Sequence, residues 1–232
     1  MFVFYGSRTY GRVERIGGTS VLTWFLHVWW LPLFPTESIL RIEGNGVREI
    51  PIRMHGRSVL AGYLRVWPVL FVLFFFGAIT DGGEDVTALS VGACVGAVVL
   101  AAVLLAVGWL LLGRISPAEA AQRRVYARIV GIPVDLARLS RPDAEPMRAM
   151  VDAILAREGR GRTSTYRDGL DPVQGWRELA VDPSMTHSPY LEAALARARL
   201  EQSWAGGDEQ RALQDVHRVV WAKLGAIGSP SA

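Results

Sequence analysis

Val86 to Leu112 is a run of 27 residues without a charged side chain. As a helix rising 1.5 Å per residue it would be about 40 Å long, enough to cross a ~30 Å hydrocarbon core with some tilt. A second apolar run precedes it. Val66–Ile79 is uncharged, and Leu64 with a snorkelling Arg65 extends it at its start. Fourteen residues alone would also suit a buried core helix. Only Asp81–Val86 separates Thr80 from Thr87, however, and so short a connection forces an antiparallel hairpin. The reading is therefore two transmembrane helices, Leu64–Thr80 and Val86–Leu112.

The charges around the hairpin set its direction. Arg53, Arg57 and Arg65 precede or open the first helix, and Arg114, Arg123, Arg124 and Arg128 follow the second. The connecting loop holds Asp81, Glu84 and Asp85 and no base. By the positive-inside rule both ends face the cytoplasm, in a multi-pass protein of the inner (plasma) membrane. Trp67 and Trp109 fall near the cytoplasmic boundary of each helix. With Arg65 and Arg114 they form the expected membrane-interface set. The three carboxylates of the loop fall short of a 12-residue calcium loop and read as a solvated turn.

Within the second helix Ala88, Gly92 and Gly96 recur every fourth residue and share one face. Small residues at that spacing let another backbone approach closely. Two occupants fit the groove: Phe71, Phe74 and Phe75 of the first helix, or a second copy of this chain. Neither helix carries an ionisable residue at depth, which argues against transport by this chain alone.

The fold class expected is an α+β membrane protein with four parts: a small β-rich cytoplasmic domain over 1–57, the transmembrane hairpin over 58–114, an α-helical cytoplasmic domain over 115–227, and a tail over 228–232. In the first part Phe2–Tyr5, Tyr10–Ile16, Thr19–Trp30 and Glu37–Glu43 read as strands, with Pro32 and Pro35 turning a corner. Gly44-Asn45-Gly46 is a hairpin turn, and Val47, Ile50 and Ile52 continue beyond it. Trp24, Phe25, Trp29 and Trp30 either supply the core of this small domain or rest partly on the membrane surface. Arg8, Arg12 and Arg15 ahead of Val21–Phe34 imitate a signal peptide. The two prolines and the arginines beyond them exclude that reading.

In the third part Ser116-Pro117-Ala118-Glu119 opens a helix to about Val130, with Ser as N-cap, Pro at the first position and Glu two residues later. A second helix is expected over Asp143–Glu158, then a loop over 159–175 and a short helical piece at Trp176–Ala180. Ser188-Pro189 opens a helix to about Ala205. Gly206-Gly207 turns it, and a last helix follows to about Leu224. Leu191, Leu195 and Ala198 would face Leu213, Val216 and Val220 in an αα-hairpin.

The stretches Phe4-Tyr5-Gly6-Ser7-Arg8 and Trp24 through Pro35 resemble the N-terminus of small bacterial zinc-ribbon-type proteins. They also resemble uncharacterised bacterial membrane proteins that join such a domain to two spans. The metal-binding cysteines of that family are absent, since Cys94 is the single cysteine and lies in the second apolar helix. The resemblance therefore implies a metal-free β-ribbon for protein contact, with no zinc role.

Other chemistry finds little support. Of 25 basic residues all but Lys223 are arginine, and they are interleaved with acids, so no basic stripe for nucleic acid is expected. No Gly-x-Ser-x-Gly, phosphate loop, dinucleotide fingerprint or His-Glu-x-x-His occurs. Asp182, Ser184 and His187 are neighbours in sequence only, and His187 and His217 read as surface or loop residues. No catalytic residue, cofactor or metal ligand is expected. The leading function is a membrane-anchored interaction or scaffold protein, its partners being the bilayer and cytoplasmic proteins. The alternative is an accessory subunit of a larger transport or secretion complex, and a membrane enzyme ranks below both. A reporter placed within 81–85 should face the outside, with both termini protected in spheroplasts proteolysed from outside. Digestion of either terminus there would overturn this topology.

Overall fold

The computed structural model describes residues 5–44, 46–80, 88–160 and 171–228, without the side chains of 78–80 and 88–90. The expected strand at 2–4, Asn45, the acidic loop at 81–85, Val86, most of the 159–175 loop and residues 229–232 lie outside that description. The fold is mixed α+β. It divides into two compact units, Met1–Ser116 and Pro117–Ala232.

The first unit opens with an antiparallel meander in the order β1 (Tyr5–Ile16), β2 (Thr19–Val28), β3 (Leu31–Glu43) and β4 (Val47–Ile52). Gly17 and Gly18, both at positive φ, make the two-residue turn between β1 and β2, as the right-handed strand twist favours. Trp29 and Trp30 make the equivalent turn between β2 and β3, with φ of 52° and 70°. Pro32 and Pro35 do not turn a corner, contrary to expectation. Both lie within β3, opposite His27 and Phe25. β4 pairs only with Ser38–Glu43, so the proline half of β3 is an open edge there and needs no N–H. Register shifts in the β2–β3 ladder beside both prolines absorb the lost donors.

Helix α1 (Gly56–Leu64) lies on this sheet, where the sequence reading had no helix before Leu64. His55 caps it, its Nδ1 accepting from the Ser58 N–H at 3.2 Å. Histidine is an unusual N-cap, which is why the start was not legible. The core between α1 and the sheet holds Val13, Val21, Phe25, Leu40, Ile50, Ile52 and Ala61. Phe25 meets Tyr10 and Tyr63 edge-on at centroid distances of 5.7 and 5.2 Å.

Arg65 and Val66 form a turn, and α2 (Trp67–Thr80) follows with Pro68 in its first turn. α3 (Ala88–Ala106) runs on into a π-helical turn, Val107–Leu111. Gly56–Gly77 and Val91–Leu111 are long and apolar enough to cross a membrane.

The second unit is helical: α4 (Pro117–Val130), α5 (Arg141–Gly159), α6 (Trp176–Val181), α7 (Ser188–Glu201) and α8 (Gly207–Gly228), with a 3₁₀ turn at Leu136–Arg138. α4 starts where its capping signals lie. α5 begins two residues before Asp143 because Ser140 caps it and Pro142 sits in its first turn. α7 is buried on all sides, with Ala193, Ala194, Ala196 and Ala198 fully covered. Those small side chains let α4, α5, α6 and α8 surround it. α7 and α8 form the expected hairpin through Leu191, Leu195, Leu213 and Val220, with Val216 only half-covered.

Charges inside this unit are paired, as burial demands. Arg199 grips Asp135 with two bonds of 2.7 and 3.0 Å. Arg197 meets Asp152 and Glu201. Burial alone would raise the Asp135 carboxyl, but the Arg199 hydrogen bonds and charge hold it below the usual carboxylate range. His217 is half-buried on α8, its Nε2 2.8 Å from the Tyr126 hydroxyl. Burial, with Arg199 adding to it, lowers its pKa to about 4. Such a histidine is neutral in the fold but takes up a proton on unfolding below its unfolded value. Stability is therefore full above about pH 6.5 and falls until about pH 4, by at most about 3 kcal/mol. His217→Gln should flatten the pH dependence of full-chain thermal unfolding across that window. An unchanged slope would exclude this account.

Candidate functional site

A connected polar arrangement lies in the first unit, where β1, α1 and the π-turn converge. It begins at Gly11, where β1 bulges. Gly11 has φ of +67°, and a Cβ there would stand 1.8 Å from the Ser58 carbonyl oxygen. Only glycine lets the strand and helix backbones approach so closely. The approach brings the Ser58 hydroxyl within 2.8 Å of the Gly11 carbonyl, to which it donates.

From there a chain of hydrogen bonds runs back through the core. Thr23 Oγ1 donates to Ser58 Oγ at 2.9 Å. With that proton committed, Ser38 Oγ donates to Thr23 Oγ1, also at 2.9 Å. Ser38 Oγ in turn accepts from the His55 N–H at 2.9 Å. The Ser38 proton also has Met54 Sδ within 3.5 Å, and a chain of hydroxyls running in one direction strengthens each of its members.

His55 joins this chain to a buried carboxylate. Because Nδ1 accepts from the Ser58 N–H, the ring proton sits on Nε2, which faces Glu14 Oε1 at 3.2 Å. Glu14 lies at a second irregularity of β1, with φ of 56° and a fully buried side chain. Arg57 stands 3.6 Å from the same carboxylate oxygen and donates to the Arg114 carbonyl at 2.7 Å. A serine, a histidine and a glutamate are thus gathered, but not as a nucleophilic relay. The Ser58 hydroxyl is turned to a carbonyl, and the histidine nitrogen nearest that residue holds its backbone.

Arg65 is the second focus. Rather than extending away from the helices, its Nε donates to the Gly108 carbonyl at 3.0 Å and its Nη1 to the Arg12 carbonyl at 2.9 Å. The guanidinium also lies 4.4 Å from the centre of the Trp109 ring, a contact of about 1 kcal/mol. The π-turn lets Gly108 face this clamp, as such turns break the regular ladder. A Cβ at Gly108 would stand 3.1 Å from Leu64 Cβ. Trp67 Nε1 donates to the Pro32 carbonyl at 3.1 Å, and the Tyr63 hydroxyl to the Leu33 carbonyl at 2.7 Å.

The four residues assigned to a membrane interface, Arg65, Trp67, Trp109 and Arg114, thus lie at one end of the helical pair. The small-residue set is placed differently. Ala88 begins α3, its side chain outside the description. Gly92 and Gly96 are exposed, with nothing among the described residues within 4 Å of a Cβ built on either. Phe71 and Phe75 stack on each other instead of filling that groove. The covered line of α3 runs through Cys94, Ala97, Ala101 and Leu104 to Gly108. An apolar cleft between α2 and α3 is lined by Trp67, Phe71, Leu100, Ala101 and Leu104 among others.

Elsewhere, Ser184 gives both its N–H and its hydroxyl to Asp182, each at 2.7 Å. His187 pairs with Glu158 at 2.9 Å, apart from the Asp182–Ser184 pair, so the three do not form a triad. Among the described residues no three His, Cys, Asp or Glu side chains gather to hold a metal ion. Sequence reasoning missed Gly11, Glu14 and Ser58. A lone glycine inside a strand pattern, which marks a close backbone approach, was the one available signal. No protein-family profile matches the chain, and neither a curated protein nor a solved structure matches it significantly.

Gly11→Ala should destabilise the first unit by about 3 kcal/mol or more, since strain and overlap add. Gly96→Ala should leave the thermal midpoint in detergent unchanged or slightly raised. Equal effects of the two substitutions would contradict the placement of Gly11 against Ser58.

Proposed function

We propose that this chain is a two-span membrane-anchored interaction protein. Its sheet and helical units bind other proteins at the cytoplasmic face of the inner membrane. One observation carries the reading: the two apolar helices turn their side chains outward. Of the most apolar 18-residue window in Gly56–Gly77, and again in Val91–Leu111, only 17% is buried. A core helix of a soluble protein is mostly covered. Here Phe71, Leu73, Phe74, Val95, Val99, Leu100 and Val103 are each more than half exposed. Each side chain of this size left in water forgoes roughly 1.5–3 kcal/mol, so a hydrocarbon solvent suits this surface and water does not.

The polar groups support the same reading. The arginines and tryptophans gather where the helices meet the sheet, as interfacial residues do. The committed hydroxyls of the Ser58 chain suit a rigid platform better than a reacting centre. The likeness of Phe4–Arg8 and Trp24–Pro35 to two-span bacterial proteins belongs with this proposal and rests on those residues alone. The accessory-subunit reading has one observation in its favour, the open face at Gly92 and Gly96, onto which a partner helix could close.

Membranes from cells expressing the full chain, washed in alkaline carbonate, should retain the protein until detergent is added. Release by carbonate alone would sink the anchoring. In detergent a partner should co-purify at fixed stoichiometry and be lost when residues 117–228 are deleted. Retention of every partner by that truncated chain would remove the interaction role of the helical unit.

A further inference from the structure

The sheet has two unlike ends. The end with the Gly17-Gly18 turn and the β3–β4 connection is charged, with Arg12 and Arg41 both paired to Glu43. At the other end, residues 5–10 and 24–37 carry only two formal charges, Arg8 and the exposed Glu37 opposite Trp24. There the β2–β3 turn presents Trp29 and Trp30, 44% and 65% exposed. Leu26 and Phe34, paired across the strands, are 49% and 66% exposed.

This turn is strained and braced. A bulky residue in the left-handed region costs roughly 1 kcal/mol or more, and two stand in succession. The Tyr10 hydroxyl holds the Trp30 carbonyl at 2.8 Å. Tyr63 and Trp67, at the junction of α1 and α2, hold the next carbonyls, those of Leu33 and Pro32. The aromatic tip is therefore fixed beside the first residue of α2, where that apolar helix begins.

We propose that the Trp29–Trp30 turn, with Leu26 and Phe34 beside it, rests in the headgroup zone of the bilayer that α2 and α3 cross. The contact is continuous with the anchoring proposed above and rests on it. Indole rings favour that zone, where an apolar body meets a wet edge. The turn makes the sheet a third, monotopic attachment, which holds the sheet unit at a set tilt against the membrane.

The test uses the full chain with Cys94→Ala, reconstituted into phosphatidylcholine–phosphatidylglycerol vesicles. Single cysteines carry an environment-sensitive fluorophore, and lipids carry a nitroxide either near the headgroup or near the chain end. Probes at Trp30→Cys and, leaving the turn intact, Phe34→Cys should lose more fluorescence to the shallow nitroxide. A probe at Val99→Cys in α3 should lose more to the deep one. Quenching at Val99 with none at Trp30 or Phe34 overturns the contact, leaves the anchoring standing and points to a protein covering the patch. Absence of quenching at Val99 overturns the anchoring, and the contact with it.

Discussion

The approach of β1 to α1 at Gly11 is the constraint from which the first unit is built. A positive φ and a missing Cβ let two backbones meet, and the Ser58 hydroxyl then closes on the Gly11 carbonyl. That contact sets the depth at which α1 lies on the sheet. Thr23 and Ser38 consequently fall into line with Ser58, and His55 reaches Glu14 across the strand irregularity. These groups are apart in sequence and buried together, so each is satisfied only if all are in place.

Arg65 extends this order to the apolar helices. A charge at the start of an apolar run could simply reach toward water. Instead it joins β1, the π-turn and Trp109 through two carbonyls and one ring face. The π-turn and Gly108 make that possible, one by loosening the helical ladder and the other by leaving room for Leu64. The sheet and the helical pair are thus joined by directional bonds rather than by a flexible linker.

The two glycine-containing features of α3 illustrate how spacing can mislead. Gly92 and Gly96 follow a packing pattern, yet none of the described residues lies against them. Gly108 lies on a different line, spaced with Cys94, Ala97, Ala101 and Leu104, and there a neighbouring side chain needs its space. Period-four spacing says which residues share a face and is silent about which face a partner covers. The helix start at His55 was hidden for a related reason. A histidine caps only when its ring is held in the right orientation, here by Glu14 from a distant strand.

Much of the frame could be read from local chemistry. The lengths of the apolar runs, the arginines that flank them, the capped start of α4 and the pairing of α7 with α8 all depend on neighbours a few residues apart. Periodicity and capping act over that range. The passage of β3 through Pro32 and Pro35, the burial of Glu14, the hydroxyl chain and the Arg65 clamp depend on residues that meet only after the sheet bends at its bulges. One extra residue in a strand reverses which side chains face the helix. The apolar hairpin was therefore determined by sequence alone, and its polar junction with the sheet by tertiary structure.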